Sequence, residues 1–257
     1  MAAYEAFAAV YDIFMEEVDY NGWVRHVLAS WEKYGSGALA RAIDLGCGTG
    51  GASVPLALMG LDVIGVDLSP EMLAEADRKA RQAGVSLRLV CQDMTELELG
   101  IEADCVLSLC DSLNYLTEDC QLEQAFARAA AHIRPGGLFL FDMNTEYKFR
   151  EILGDNIFAS SEEDAAYIWE NSYDPETRIN EYNVSFFIED EDSGLYERVQ
   201  ECHYERAYSL EEITHALEKS GLTLAAVCDD YCFAPPHEES ERLFFVARRN
   251  GETEERK

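Results

Sequence analysis

The chain has 257 residues, 48% hydrophobic and 27% charged, enough to bury the core of one large domain or of one domain carrying a smaller insertion. Twenty basic residues against fifty acidic ones give a net charge of −30, spread along the chain with no Lys/Arg run longer than two. A field of that sign repels phosphate backbones, so nucleic acid is disfavoured as a partner and a solvated acidic surface is expected. No apolar stretch approaches the ~18 residues of a membrane span, and Met1 to Met15 has no basic n-region, so no secretory signal is expected.

The eight cysteines (Cys47, Cys91, Cys105, Cys110, Cys120, Cys202, Cys228 and Cys232) lie mostly in apolar stretches. They form no C-x-x-C and no zinc-type pairing, so no metal is expected. Free thiols in a reducing cytoplasm are the expectation.

Residues 1–40 read as a helical segment, in which Tyr4, Phe7 and Tyr11 fall on one helix face. From residue 41 to 144, short apolar runs alternate with amphipathic stretches. Strands are expected at Arg41 to Leu45, Asp62 to Val66, Leu87 to Cys91, Cys105 to Cys110 and Leu138 to Phe141. Helices are expected at Ala52 to Met59, after Ser69-Pro70 as far as Gly84, and at Leu122 to His132. Arg134-Pro135-Gly136-Gly137 reads as a turn. Continuous apolar strands alternating with helices imply a mostly parallel sheet covered on both faces.

Residues 145–208 break that rhythm. Ala166 to Asn171, Ile179 to Glu189 and Leu195 to Tyr208 are rich in β-formers, with turn residues at Asp174 to Thr177 and Glu191 to Gly194. This reads as an antiparallel β insertion. Ser209 with Glu212 forms a capping box that opens a helix ending at Gly221, and two strands near Leu224 to Val227 and Leu243 to Ala247 close residues 209–250. Asn250 to Lys257 is polar and is expected to fray.

The first strand runs into Asp44-Leu45-Gly46-Cys47-Gly48-Thr49-Gly50-Gly51, and Asp67 ends the second. Glycines there let the backbone turn sharply beside a ligand, and a carboxylate ending the second strand can accept both hydroxyls of an adenosine ribose. The loop alone is ambiguous, since Gly46-x-Gly48-x-x-Gly51 fits a dinucleotide pattern and Gly46-x-Gly48-x-Gly50 a nucleoside one. Three features favour S-adenosylmethionine. Asp44 can hold an ammonium but sits poorly beside a pyrophosphate. Gln92-Asp93-Met94 brings a carboxylate to the adenine amino group. Cys110-Asp111-Ser112-Leu113-Asn114-Tyr115 adds polar groups next to the loop.

On these residues the chain resembles the class I S-adenosylmethionine-dependent methyltransferases. Asp44 to Gly50 resembles their first motif, Asp67-Leu68-Ser69 with Met72 the second, Gln92-Asp93-Met94 the third and Cys110 to Tyr115 the fourth. Tyr4-x-x-Phe7-Ala8-x-x-Tyr11-Asp12, Tyr20-x-x-Trp23 and Glu241-Arg242-Leu243-Phe244-Phe245 extend the likeness to a group of small bacterial methyltransferases. The resemblance implies a Rossmann-like, doubly wound α/β fold whose final hairpin strand is reversed. It also implies that Gly46 and Gly48 pass under the methionine portion, that Cys47 between them belongs to the cofactor site, that Asp67 binds the ribose and that Leu68 packs on the adenine. Asp93 and Met94 would flank the adenine amino edge, Cys110 would offer backbone near the sulfonium, and Tyr11, with Trp23, would close over the methionine end.

The β insertion at 145–208 is expected to roof the substrate site. His203 and Glu205 share one face of its last strand while Arg206 points to the other. His203 is a candidate base or acceptor contact, against the alternative of a structural histidine; no residue is assigned as catalytic. Methyl transfer is an in-line displacement in which alignment and water exclusion do most of the work. The fourth motif lacks the Asp/Asn-Pro-Pro-aromatic pattern of base N-methylation, and no Pro-Cys or Thr-Cys pair marks a cytosine C5 nucleophile. The expected protein is a cytoplasmic enzyme, monomer or homodimer, methylating a nitrogen or oxygen of a small molecule. The rivals are a silent cofactor-binding module acting through a protein partner, an RNA or protein methyltransferase, and a nicotinamide oxidoreductase.

Overall fold

The computed structural model of the chain describes residues 8, 11, 12, 15, 18–161, 165–190 and 193–250; Tyr4 and Phe7 of the expected N-terminal face lie outside them. A seven-stranded sheet is built from β1 (Arg41–Leu45), β2 (Asp62–Asp67), β3 (Arg88–Cys91), β4 (Ala103–Ser108), β5 (Ile133–Asn144), β10 (Leu222–Asp229) and β11 (Arg242–Arg249). Its order is β10-β11-β5-β4-β1-β2-β3. The strands pair in parallel from β3 across to β5, and β11 runs antiparallel to both β5 and β10. This is the Rossmann-like sheet with a reversed final strand.

Side-chain alternation divides the core between the two sheet faces. Ile43, Leu45, Phe139, Phe141 and Phe245 meet helices α4 (Gln121–His132) and α5 (Leu210–Lys219). On the other face, Leu138, Leu140, Phe244 and Val246 meet α1 (Tyr20–Tyr34) and α2 (Ser53–Leu58). Phe141 stacks on Phe245 with centroids 4.8 Å apart, and each fully buried phenylalanine contributes about 1.5–3 kcal/mol. Helix α3 (Pro70–Ala83) begins where the sequence indicates: Ser69 Oγ accepts the Met72 N–H at 3.2 Å, and Gly84 ends it at φ 72°. Both halves of the Ser209–Glu212 capping box are formed.

Three local expectations need correction. The fourth strand ends at Ser108, not Cys110, because the backbone turns into the left-handed region at Cys110 and Asp111. Arg134 to Gly137 does not separate helix from strand: β5 begins at Ile133, which pairs with Ala103, and the ladder resumes at Leu138 opposite Cys105. The intervening residues bulge out, with Gly136 at φ 77°. Lastly, the stretch after β5 holds a π-helical turn at Lys148–Leu153 and a short strand β6 (Ile157–Ser161) before the expected ones.

The second sheet is a meander, β6-β7-β8-β9, with β7 (Ala165–Asp174), β8 (Ile179–Asp190) and β9 (Leu195–Arg206) all antiparallel. Asn114, fully buried in the turn after β4, fixes it to the main sheet. Its Nδ2 donates to the Arg206 carbonyl at 2.9 Å and to the Asn144 carbonyl at 3.2 Å, and its Oδ1 accepts the Asn144 N–H at 2.9 Å. The end of β9 is therefore tied down directly above the carboxyl edge of β4.

Candidate active site

At the carboxyl ends of the parallel strands, where the order reverses between β1 and β4, lies a cavity of about 670 Å³. Open α/β sheets bind ligands at this point. The turn after β1 forms its floor. Gly46 and Cys47 both donate to the Val66 carbonyl, at 2.8 and 3.0 Å, and the Gly48 N–H donates to Asp67 Oδ2 at 2.8 Å. Gly46 has φ 70°, and a Cβ there would stand 2.6 Å from Ser112 Oγ. Glycine thus lets the turns after β1 and β4 touch.

Carboxylates ring the floor. Asp44 is buried on β1 and accepts the Ser53 hydroxyl at 2.6 Å; burial pushes its pKa up to about 6, although the Ser53 bond opposes the shift. Asp67 takes the Gly48 N–H on one oxygen and the Ser69 N–H on the other, and burial raises its pKa. Asp93 caps the short turn Met94–Glu96, accepting the Thr95 N–H and hydroxyl on the same oxygen, Oδ1. Leu68, 69% exposed, lies on the rim.

The wall after β4 is a buried ionic network. Cys110 and Asp111, at φ 61° and 51°, donate their N–H groups to the two oxygens of Asp142 at 2.7 and 3.0 Å. Arg242 bridges Asp142 and Asp111, and the Tyr231 hydroxyl donates to Asp142 at 2.6 Å. Burial alone would raise the Asp111 carboxyl; Arg242, with Lys148, outweighs it and holds the group below its ordinary range. Trp23 stacks on Tyr231 with centroids 4.5 Å apart, and the Tyr11 hydroxyl lies 3.7 Å from Cys110 Sγ.

Tyr11, Trp23, Gly46, Cys47, Gly48, Asp67, Leu68, Asp93, Met94 and Cys110 all line this cavity. His203 lines it as well, while Arg206 faces away and pairs with Glu212 at 3.2 Å. What motif matching did not supply is the upper half. The inward face of the meander adds Trp169, Tyr182, Phe186 and Glu205, the end of β5 adds Asn144, and the turn after it adds Lys148. The Tyr182 hydroxyl donates to Glu205 Oε1 at 2.9 Å and is itself hydrogen-bonded to the Tyr115 hydroxyl. The signal for Glu205 was its place on the His203 face of β9; periodicity sets the face but does not say what the face covers.

Comparison with known proteins agrees with this geometry. The profile of the Methyltransferase domain family matches residues 42–137. A protein carrying a methyltransferase name in Geobacillus sp. (strain WCH70) is 39% identical, covering 96% of this chain and 99% of the relative. Another, from Bacillus subtilis (strain 168), is 35% identical over 96% of this chain and 97% of its own. Among solved structures, an S-adenosylmethionine-dependent methyltransferase from Clostridium acetobutylicum ATCC 824 superposes with a TM-score of 0.87 at 32% identity, covering 96% of this chain and 99% of that one.

The chain belongs to the S-adenosylmethionine-dependent methyltransferases. It is an enzyme, and S-adenosylmethionine is its methyl donor.

Proposed function

We propose that the protein methylates a nitrogen or oxygen of a small-molecule acceptor held between the strand-end turns and the β insertion. The observation that carries this reading is a single cavity lined from both sides, by the glycine turn below and the aromatic face of the meander above. A volume of about 670 Å³ is in the range of small-molecule sites. An acidic chain with an aromatic-walled site favours a small acceptor over a nucleic acid.

The residues present fit the donor. Bound S-adenosylmethionine supplies a methyl group on a sulfonium, activated for displacement. Gly46, Cys47 and Gly48 offer a bare backbone surface, and Asp44 offers a carboxylate suited to an ammonium. Asp67 would take the ribose hydroxyls, with lone pairs left beyond the two N–H groups it holds. Asp93 Oδ2 would accept the adenine amino group, with Leu68 and Met94 against the ring. Cys110 contributes carbonyl backbone, its N–H being committed to Asp142. Tyr11 and Trp23 would close the methionine end, as part of a covering segment 1–40. The insertion 145–208 would cover the acceptor and exclude water, leaving alignment as the main catalytic contribution.

The eight free cysteines support a cytoplasmic setting. No helix among the described residues is long and apolar enough to cross a membrane. The test is to incubate the protein with methyl-labelled S-adenosylmethionine and cell extract separated into small-molecule, RNA and protein fractions. Label is expected in the small-molecule fraction; label confined to RNA or protein refutes the reading.

A further inference from the structure

We propose that Glu205 binds the acceptor and takes a proton from it, and that the acceptor is a protonated amine carried on a compact apolar or aromatic body. This rests on the small-acceptor reading above.

Glu205 is 3% exposed, on the inward face of β9, and lines the cavity. Tyr182 donates to its Oε1 at 2.9 Å and Asn144 Nδ2 to its Oε2 at 3.3 Å, so the carboxyl is held in one orientation. Tyr115, hydrogen-bonded to Tyr182, extends the chain of phenols. Among the described residues no lysine, arginine or histidine forms an ion pair with it. A buried carboxylate without a cation is costly, and this one sits on the meander side of the cavity, opposite the glycine turn. In its ionised form it has no ion-pair partner among the described residues, and a cation bound in the cavity would supply one.

The surrounding charges agree. The groups facing this part of the cavity are Asp111 and the Asp142 behind it, Arg242 between them, Lys148, and the Glu201–His203 pair on β9 itself. Arg242 is spent on the two aspartates, and Lys148 Nζ is bonded to Asn144 Oδ1 at 3.0 Å. Outside the Glu201–His203 pair, Asp111, Asp142 and Glu205 stand against Arg242 and Lys148, so an ionised Glu205 leaves one negative charge unmatched. An ammonium restores balance, whereas an anionic acceptor adds a second negative charge. The walls are Trp169, Tyr182 and Phe186, faces that attract both cations and rings.

The chemistry follows from that pairing. Burial, and then the charge of Asp111, raise the Glu205 pKa to about 8 against the opposing Tyr182 bond, the Lys148 charge and the Asn144 bond. That brings a carboxyl close to an ammonium in acidity. Proton exchange turns an ion pair into two neutral groups, the favoured state in a low-dielectric site. An N–H bond of R–NH3+ breaks and its proton goes to Glu205, leaving the electron pair on nitrogen. That pair forms the new N–C bond to the methyl carbon while the C–S bond breaks with its electrons going to sulfur. The product is R–NH2+–CH3, and Glu205 later returns its proton to water. An alcohol is too weak an acid to surrender its proton to a carboxyl of this kind.

The experiment is calorimetric titration of the protein, loaded with S-adenosylhomocysteine, with benzylamine and cyclohexylamine and with their matched alcohols, benzyl alcohol and cyclohexanol. The amines are expected to bind at least tenfold more tightly than the alcohols. Glu205→Gln is expected to lose at least tenfold in amine affinity while holding S-adenosylhomocysteine within twofold of wild type. Tyr182→Phe, which keeps the carboxyl and removes one of its donors, is expected to shift the pH midpoint of amine binding upward. Alcohols binding as tightly as amines, or Glu205→Gln binding amines unchanged, overturns the proposal and leaves the small-acceptor reading standing. Binding of neither class to the loaded protein overturns that reading, and the proposal with it.

Discussion

Arg242, the first residue of β11, reaches Asp111 in the turn after β4, Nη2 to Oδ1 at 2.8 Å, across 131 positions of sequence. Its other terminal nitrogen binds Asp142 on β5, whose oxygens hold the N–H groups of Cys110 and Asp111. The reversed last strand thereby fixes a turn at the mouth of the cavity whose two residues occupy a backbone region that costs about 1–2 kcal/mol each for non-glycine residues.

Removing that guanidinium leaves two buried carboxylates without the cation that bridges them. Arg242→Ala is therefore expected to lose about 3–5 kcal/mol of stability and to bind S-adenosylhomocysteine more weakly, because the turn at Cys110 relaxes. Urea unfolding and calorimetry on the same sample check both effects.

Asp44 gives the donor site a pH dependence. With burial raising its pKa to about 6, the carboxylate needed for an ammonium is present above pH 6 and lost below it. The affinity for S-adenosylhomocysteine is expected to fall by up to about tenfold per pH unit below 6. Asp44→Asn is expected to bind weakly at neutral pH and to show no such dependence. Titrations from pH 5 to 8 measure this.

Glu205 gives stability a pH dependence of the opposite sense. Its folded pKa, about 8, exceeds that of an exposed glutamate at about 4.3, so the folded state holds the proton more tightly. Its contribution is fully present below about pH 4.3 and is lost as pH rises through 8. The urea midpoint of wild type is expected to drop between pH 5 and 9 relative to that of Glu205→Gln, which stays neutral throughout. Parallel denaturation series test this.

The clasp between the two sheets is testable at Asn114. Asn114→Ala strands the Arg206 carbonyl and both backbone groups of Asn144, at an expected cost of about 2–4 kcal/mol. Amide hydrogen exchange should rise along the Ile179–Arg206 end of the meander first, while the centre of the main sheet stays protected.

Local chemistry explains which parts the sequence made legible. β1 and α3 fall at their expected bounds because an apolar run, a cap, a proline and a terminal glycine agree there. The end of β4 was overrun because Leu109 and Cys110 are apolar for a different reason: one is buried and the other lines the cavity, on a chain that has already turned. β6 alternates between exposed and half-buried positions at a sheet edge and so gives no apolar run. The lower half of the cavity follows from motifs carried on contiguous residues. The upper half depends on how the meander sits over β4, fixed by Asn114 through residues 30 and 92 positions away, a relationship that periodicity does not contain.

The most direct test is a thermal-shift and calorimetric comparison of wild type, Asp67→Ala and Asp93→Ala with S-adenosylhomocysteine and NADH. Wild type is expected to bind S-adenosylhomocysteine and gain about 2.7 kcal/mol of stability at a hundred times its Kd. Both variants are expected to weaken at least tenfold, and NADH to leave the midpoint unmoved. Unchanged affinity in both variants, or stabilisation by NADH alone, would contradict the assignment of this cavity to the adenosyl donor.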